Sequence, residues 1–149
     1  MKQKSIDEYV EQVVRVLPKV IRWFHVNRAT ALTKSQLNPA QFFVLDIIYE
    51  LGARTMSQLS KQLSVSLPAV TRIVDKLYAD KMVERIPGQK DRRVIQINIT
   101  AKGKKIVTEF RKQRKQVFKD IFSKLSEKDR QDYLRIMLKL NEMTAKHEG

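Results

Sequence analysis

Apolar residues recur every three or four positions over most of the chain, which predicts a mainly helical protein. The first helix is predicted from about Ser5 to Leu32. Pro18 lies inside it and is predicted to kink or divide it, because proline lacks the amide that helical hydrogen bonding needs. Further helices are predicted to begin after Asn38, Thr55 and Ser66, since residues of these types cap helix N-termini.

The segment from Leu67 to Asp80 follows the preceding helix after a break of about three residues, a spacing typical of a helix-turn-helix. After Lys81 the apolar period changes to 2, which predicts strands at Val83–Ile86 and Val94–Ile99. The residues predicted to share one face of the second strand are Ile95, Ile97 and Ile99. A hairpin directly after a helix-turn-helix is a wing. The predicted fold class is therefore mainly α with a small β wing (α+β).

Two more helices are predicted after the wing. Thr100 is expected to cap a long helix that runs to about Leu125, and Ser126 with Asp129 to begin the last one. The long helix has Ile106, Phe110, Val117 and Ile121 on one side and a strongly basic opposite face.

Charge changes this picture of a small helical domain. The 149 residues contain 30 Lys and Arg against 16 Asp and Glu, for a formal net charge of +14. The segment from Ser66 to Lys119 holds fifteen basic and five acidic residues, or +10 of that total. So regional an excess favours a polyanionic partner, with nucleic acid first and an anionic membrane surface second.

Catalytic and metal-binding chemistry is not predicted. There is no cysteine, and the two histidines, His25 and His147, lie far apart in the sequence. Neither a glycine-rich phosphate loop nor a nucleophile motif is present, so we predict no enzyme, no catalytic residues, no metal and no cofactor. A polar N-terminus and short apolar runs favour a cytoplasmic protein that does not cross a membrane.

One long segment resembles the winged helix-turn-helix of the multiple-antibiotic-resistance regulator (MarR) family. Its sequence is AVTRIVDKLYADKMVERIPGQKDRRVIQINITAKGKK. The shared pieces are VTRIVDKL in the recognition helix, MVER entering the wing, DRR at its tip and ITAKG opening the next helix. The resemblance implies a homodimeric transcriptional regulator, usually a repressor, that binds pseudo-palindromic operator DNA. It also implies an N-terminal dimerisation helix (1–36), a DNA-binding domain (37–100) and a linking plus C-terminal dimerisation helix (101–149).

The recognition helix is predicted to enter the major groove with its N-terminal half. Its DNA-binding candidates are Ser66, Pro68, Ala69, Thr71, Arg72 and Lys76. Arg72 can read a guanine or clamp a phosphate, whereas Thr71 contacts DNA or bonds its own helix. Pro68 and Ala69 depart from the Ser/Thr-rich start common in the family, and they are suited to thymine methyl groups.

The wing tip carries the other DNA-binding candidates, Lys90, Asp91, Arg92 and Arg93. The resemblance implies that Arg92 and Arg93 reach the minor groove, with Arg93 favoured for insertion. Asp91 is predicted to pair with an arginine guanidinium and fix its direction. The alternative is an ordinary solvated turn.

Phosphate contacts are predicted for Lys61, Lys102, Lys104 and Lys105, which position a protein without reading sequence. The family resemblance also implies a pocket for a small aromatic or anionic effector. Its candidate residues are Trp23, His25, Phe42, Phe43 and Tyr49, although aromatic residues at helical spacing are more often core.

Two other functions stay open at this stage. A winged helix can bind protein or RNA, because a fold does not dictate its ligand. The long basic helix, with its apolar opposite side, is also typical of a membrane-surface helix.

Overall fold

The computed structural model describes residues 4–27 and 36–145, except for the side chains of residues 25–27 and 145. The chain forms two compact units, Met1–Gln113 and Arg114–Gly149. Within the described residues the first unit contains helices α1 to α4, a two-stranded sheet and the start of α5. The second contains the rest of α5 and helix α6.

Helix α1 (Ile6–Asn27) is continuous, with Pro18 inside it. Of the two predicted alternatives at Pro18, a division is therefore excluded, and a kink there stays a prediction. Pro18 lies in the middle of this 22-residue helix, where it removes one backbone hydrogen bond without ending the helix. Residues 28–32 of the predicted helix lie outside the described part of the chain.

The next three helices begin where side chains satisfy their first amides. Helix α2 (Pro39–Leu51) has a capping box, in which the Asn38 side chain accepts from the Gln41 amide at 2.9 Å and the Gln41 side chain accepts from the Asn38 amide. Helix α3 (Met56–Leu63) repeats this arrangement with Thr55 and Gln58. Helix α4 (Leu67–Ala79) is capped by Ser66. All three predicted start positions are confirmed.

The wing consists of strands β1 (Val83–Pro87) and β2 (Ile95–Ile99), which pair antiparallel with Val83 opposite Ile99. Ile97 and Ile99 are buried, whereas Ile95, at an alternate position on the same strand, is 49% exposed. Ile95 pairs with Pro87 at the outer end of the hairpin, beyond the reach of the helical core. An additional bridge joins Arg54 to Ile97 through two backbone hydrogen bonds of 3.0 and 2.7 Å.

Helix α5 (Ala101–Phe122) starts in a very close approach to the base of the wing. Thr100 caps it by accepting from the Gly103 amide at 3.2 Å, as predicted. A Cβ on Gly103 would lie 2.3 Å from the Met82 carbonyl oxygen and 2.7 Å from Cγ1 of Ile99. Only glycine fits there without displacing the wing.

The core of the first unit combines α2, α3, α4, the wing and the start of α5. Its fully buried side chains include Leu45, Ile48, Leu59, Val70, Val74, Leu77, Ile97 and Val107. Phe42 stacks against Phe110 with ring centroids 4.0 Å apart. This core fixes which face of α4 is turned inward and which is left for a ligand.

The second unit is a helical hairpin. Helix α6 (Glu127–Ala145) is preceded by Ser126, whose hydroxyl accepts from the Asp129 amide. Phe122 packs edge to face on Tyr133, and the Arg130 side chain donates to the Phe122 carbonyl at 2.7 Å. These contacts close the turn between the two helices.

Candidate nucleic-acid interface

Helix α4 has one buried and one solvent-facing side. Val70, Val74 and Leu77 are fully buried. Since each residue turns the helix by about 100°, the opposite side carries Pro68 and Arg72 together with residues one turn further on. Residues of α4 on or beside this outer face are Pro68, Thr71, Arg72, Asp75, Lys76 and Ala79. The predicted recognition helix therefore exposes Ser66, Pro68, Arg72 and Lys76, whereas Ala69 and Thr71 are half-buried.

The hydroxyl groups at the start of α4 are engaged within the protein. The Ser66 hydroxyl accepts from the Ala69 amide at 3.4 Å as the helix cap. The Thr71 hydroxyl donates to the Leu67 carbonyl at 2.9 Å, which is the helix-bonded alternative for this residue. Neither side chain is thereby excluded from DNA, but Thr71 has already used its only hydrogen.

Two cations lie on the outer face of α4 and differ in how they are held. Lys76 pairs with Asp80 at 3.4 Å across one helical turn. The guanidinium of Arg72 is exposed and forms no hydrogen bond or ion pair with residues in the described ranges. Arg72 is thus the cation of α4 with most donors available for a base edge or a phosphate.

The tip of the wing is shaped by backbone hydrogen bonds. The Gly88 amide donates to the Val94 carbonyl at 2.7 Å, and the Val94 amide donates to the Asp91 carbonyl at 3.1 Å. Lys90, Arg92 and Arg93 are exposed around this turn. Across the part of the chain that the structure describes, no acidic side chain pairs with them, so the turn presents three cations to solvent.

Asp91 differs from its prediction. Its carboxylate accepts from the backbone amide of Arg93 at 2.9 Å, not from an arginine guanidinium. A short aspartate side chain reaches the amide two residues ahead more readily than a long arginine can fold back to meet it. Asp91 therefore shapes the turn that carries Arg93, whose side chain is exposed.

One ion pair joins α4 to the wing, and the sequence analysis missed it. Arg85 on β1 donates to the Asp75 carboxylate at 2.6 Å, and its guanidinium lies 5.1 Å from the centre of the Tyr78 ring. The pair neutralises the acidic group on the outer face of α4. The sequence did contain a signal for this pair. Asp75 lies at an outward position of a helix predicted to meet DNA, where a carboxylate without a cationic partner is unfavourable.

The predicted phosphate contacts have separate environments. Lys61 is exposed on α3, and Lys104 and Lys105 are exposed on the first turn of α5. Lys102 instead donates to the Asp80 carbonyl at 2.8 Å, at the C-terminal end of α4. Lys102 therefore stabilises the recognition helix in addition to any contact with DNA.

Arg111 holds α5 against α2. Its side chain donates to the Asp46 carboxylate at 2.7 and 2.8 Å and to Glu50, and its guanidinium stacks 4.7 Å above the Tyr49 ring. Burial alone lowers the pKa of Arg111, but the hydrogen bonds to Glu50 and Asp46 outweigh it and raise the pKa. The cation is therefore permanent and serves the fold.

The residues predicted for an effector pocket fall into different environments. Phe42 is 3% exposed and belongs to the core, so a ligand cannot reach its ring without opening that core. Trp23, Phe43 and Tyr49 are exposed. The side chain of His25 lies outside the described residues.

Neither a metal site nor a membrane span is found in the described ranges. Within them, His, Asp and Glu form no group of three that is suited to holding an ion. None of the helices described there combines the length and apolar content that a bilayer crossing requires.

A capped helix with an outward arginine, next to a hairpin whose tip carries three exposed cations, defines a winged helix-turn-helix DNA-binding protein. The family model described as MarR family matches residues 37–95. The chain is 27% identical over 143 residues to the HTH-type transcriptional repressor MdtR of Bacillus subtilis, covering 96% of this chain and 88% of MdtR.

Solved structures agree with this match. A crystal structure of a MepR-like protein complexed with pseudoligands is 30% identical, with a TM-score of 0.57 and 95% of this chain and 97% of that one covered. A MarR family protein from Bacillus stearothermophilus shares the fold at a TM-score of 0.82 and 20% identity, with 95% of this chain and 99% of that one covered. The chain belongs to the MarR family of transcriptional regulators and is not an enzyme.

Proposed function

We propose that this protein is a homodimeric repressor that binds pseudo-palindromic double-stranded operator DNA. Helix α4 enters the major groove and the wing tip enters the adjoining minor groove. Arg72 reads a base edge, Arg93 enters the minor groove beside Arg92, and Lys61, Lys104 and Lys105 contact phosphates. The observation that carries this proposal is the exposed set of arginines at the wing tip, which no described acidic group neutralises.

The exposed apolar side of α1 supports the homodimer. Ten large apolar side chains of α1 are between 43% and 80% exposed. At about 100° per residue they fill one half of the helix surface. Burying the exposed half of each of these side chains in a dimer contributes about 1 kcal/mol. The ten together therefore offset much of the free-energy cost of bringing two chains together, which is about 4–15 kcal/mol.

Helix α6 has a similar unpartnered surface. Seven of its large apolar side chains, from Tyr133 to Met143, are between 39% and 56% exposed. Monomeric soluble proteins rarely leave such apolar stripes open to water. We therefore assign 1–36 to a dimerisation helix, 37–100 to DNA binding, and 101–149 to a long linking helix and a C-terminal dimerisation helix, with a second copy of the chain as the partner.

Repression in the cytoplasm is the outcome that we infer for DNA binding. The similar protein MdtR is named a repressor. A dimer that covers both grooves of a promoter also excludes other proteins from the same duplex. The regulated genes follow from the operator, which a selection experiment identifies.

We also propose that a small aromatic anion modulates DNA binding. Trp23 and Tyr49 have exposed rings, and Tyr49 lies under the Arg111 cation. An aromatic carboxylate is able to stack on such rings and to compete for that cation. Titrating aromatic carboxylates into the protein–DNA complex and following release of a labelled duplex tests this proposal.

The membrane-surface alternative is weakened by the packing of α5. Val107 and Phe110, on its apolar side, are 0% and 4% exposed because they belong to the core. A helix whose apolar side is used inside the protein has little apolar surface left to insert into lipid.

Competition between a selected duplex and single-stranded RNA of the same sequence tests the RNA alternative.

Selection from a randomised duplex library followed by binding of an Arg93→Ala variant tests the function. The wild-type protein is expected to enrich inverted repeats, because two identical subunits related by a two-fold axis read two half-sites. Arg93→Ala is expected to weaken binding to the enriched duplex by about 1–3 kcal/mol while thermal unfolding is unchanged.

The matched control is Lys124→Ala, which removes one positive charge at an exposed position outside every proposed DNA contact. It is expected to bind within about twofold of the wild type, because distant exposed charges are screened. Equal losses in the two variants would show a general charge effect and refute the wing assignment. Failure to enrich any duplex would refute the function itself.

A further inference from the structure

The first turn of α4 is unusually apolar for a surface that meets DNA. Leu67 is 47% exposed and Val65, just before the helix, is 38% exposed. Pro68 lies on the outer face, and Leu67, three residues before the buried Val70, lies on the inner side of the same exposed turn. None of these three side chains packs into the core, and each presents carbon atoms where a polar base reader would be expected.

The polar groups around this turn are largely committed elsewhere. Ser60 donates its hydroxyl to the Val65 carbonyl at 2.6 Å, and Thr71 donates to the Leu67 carbonyl. Ser66 accepts from the helix amide that it caps. Arg72 is therefore the one strong donor on this end of α4 within the described residues.

Apolar side chains discriminate between bases in one way. The thymine 5-methyl group is the only apolar group that a base of unmodified DNA presents in the major groove. Against any other base, Leu67 or Pro68 would displace water from a donor or acceptor without replacing its hydrogen bond, which costs binding energy. An apolar first turn therefore selects thymine by attraction and rejects the other bases by desolvation.

We propose that α4 reads its operator mainly through thymine methyl groups, contacted by Leu67 and Pro68, with Arg72 as its main polar base reader. This proposal rests on the DNA-binding function proposed above and adds the chemistry of specificity. It predicts half-sites in which thymines lie next to a guanine that Arg72 contacts.

Replacing thymidine with deoxyuridine tests the proposal, since it removes the methyl group and leaves base pairing and the minor-groove edge unchanged. The duplex is the one enriched by selection, and uridine is introduced at one thymine position at a time. The affinity of the wild-type protein is expected to fall about fourfold for each contacted methyl, the value of one buried carbon.

A variant of the reader separates this contact from a change in DNA shape. In Leu67→Ser the uridine penalty is expected to disappear at the position that Leu67 contacts, because neither duplex then gains from a methyl group. In Leu51→Ser, which makes the same change at an exposed leucine at the end of α2, the uridine penalty is expected to persist.

The outcomes distinguish this proposal from the function on which it rests. If selection enriches a specific duplex but uridine has no effect at any thymine of the half-site, methyl reading is refuted and DNA binding stands. A uridine penalty that persists unchanged in both Leu67→Ser and Pro68→Ser also refutes methyl reading by these residues. If no duplex is enriched, both proposals fail.

Discussion

Replacing Arg85 with alanine removes the cation that neutralises Asp75 on the outer face of the recognition helix. The two side chains meet at 2.6 Å and are 45% and 55% exposed. An ion pair this exposed contributes at most about 1 kcal/mol to folding. The loss of the Tyr78 contact adds about 0.5–1 kcal/mol. Arg85→Ala is therefore expected to fold, with a melting temperature only a few degrees lower.

The effect on DNA binding is expected to be larger. Without Arg85 the Asp75 carboxylate faces the phosphates of the groove unpaired. At a separation of about 8 Å and an effective dielectric constant of about 20, one phosphate repels it by about 2 kcal/mol. Salt screening reduces this value to about 1–1.4 kcal/mol, so we expect affinity for the selected duplex to fall about 5- to 10-fold.

The decisive variant is the double substitution Asp75→Asn with Arg85→Ala, which has the same formal net charge as the wild type. Fluorescence anisotropy with the labelled duplex at fixed salt measures all four proteins of the cycle. The double variant is expected to bind within about threefold of the wild type, because the repulsive charge has been removed with its partner. If it binds as weakly as Arg85→Ala, Arg85 contacts the phosphate itself and the charge-masking role is wrong.

Two predictions concern the fold that holds the interface. Gly103→Ala is expected to destabilise the protein by about 1–3 kcal/mol through overpacking, although alanine normally favours a helix by about 1 kcal/mol. Thermal unfolding measures this loss of stability, with Lys105→Ala as an exposed control on the same helix. If Gly103→Ala were more stable than the wild type, the close approach of Gly103 to the wing would be contradicted. Arg111→Met is expected to cost about 1–3 kcal/mol because its partner carboxylates lose their hydrogen bonds. Chemical denaturation measures the loss of stability, with Lys112→Met as the charge-matched control. Equal stabilities of the two variants would refute the role of Arg111 in holding α5 against α2.

Short-range signals explain what the sequence predicted correctly. Asn38, Thr55 and Ser66 satisfy amides only three residues away, so the residue types alone indicate where the helices begin. The change of apolar period after Lys81 likewise predicts the hairpin from local alternation. These features place the recognition helix and the wing in order along the chain.

Long-range contacts explain what the sequence did not predict. Arg85 finds Asp75 ten positions away, and Arg111 finds Asp46 at a separation of 65. No periodicity in a single sequence specifies such pairs. The strongly basic face of the long helix therefore gave no sign of the Arg111 contacts, because its acidic partners lie on another helix.

One local error has a physical cause. Asp91 was expected to bind a guanidinium, yet a backbone amide was closer. The wing also shows how far the core extends along β2. Ile95 continues the alternation of the strand, but it lies where the hairpin extends past the core, so burial ends before the pattern does.

Methylation protection with dimethyl sulfate on the selected duplex tests the central claim most directly, because the reagent modifies guanine N7 in the major groove and adenine N3 in the minor groove. Two α4 helices and two wing tips are expected to protect two groups of guanine N7 atoms centred about 10 base pairs apart, or a multiple of that distance. Each group is expected to adjoin adenine N3 atoms that are protected by the wing and become reactive in Arg93→Ala. Protection confined to one groove, or to a single group of bases, would contradict a homodimer that binds both grooves of one operator.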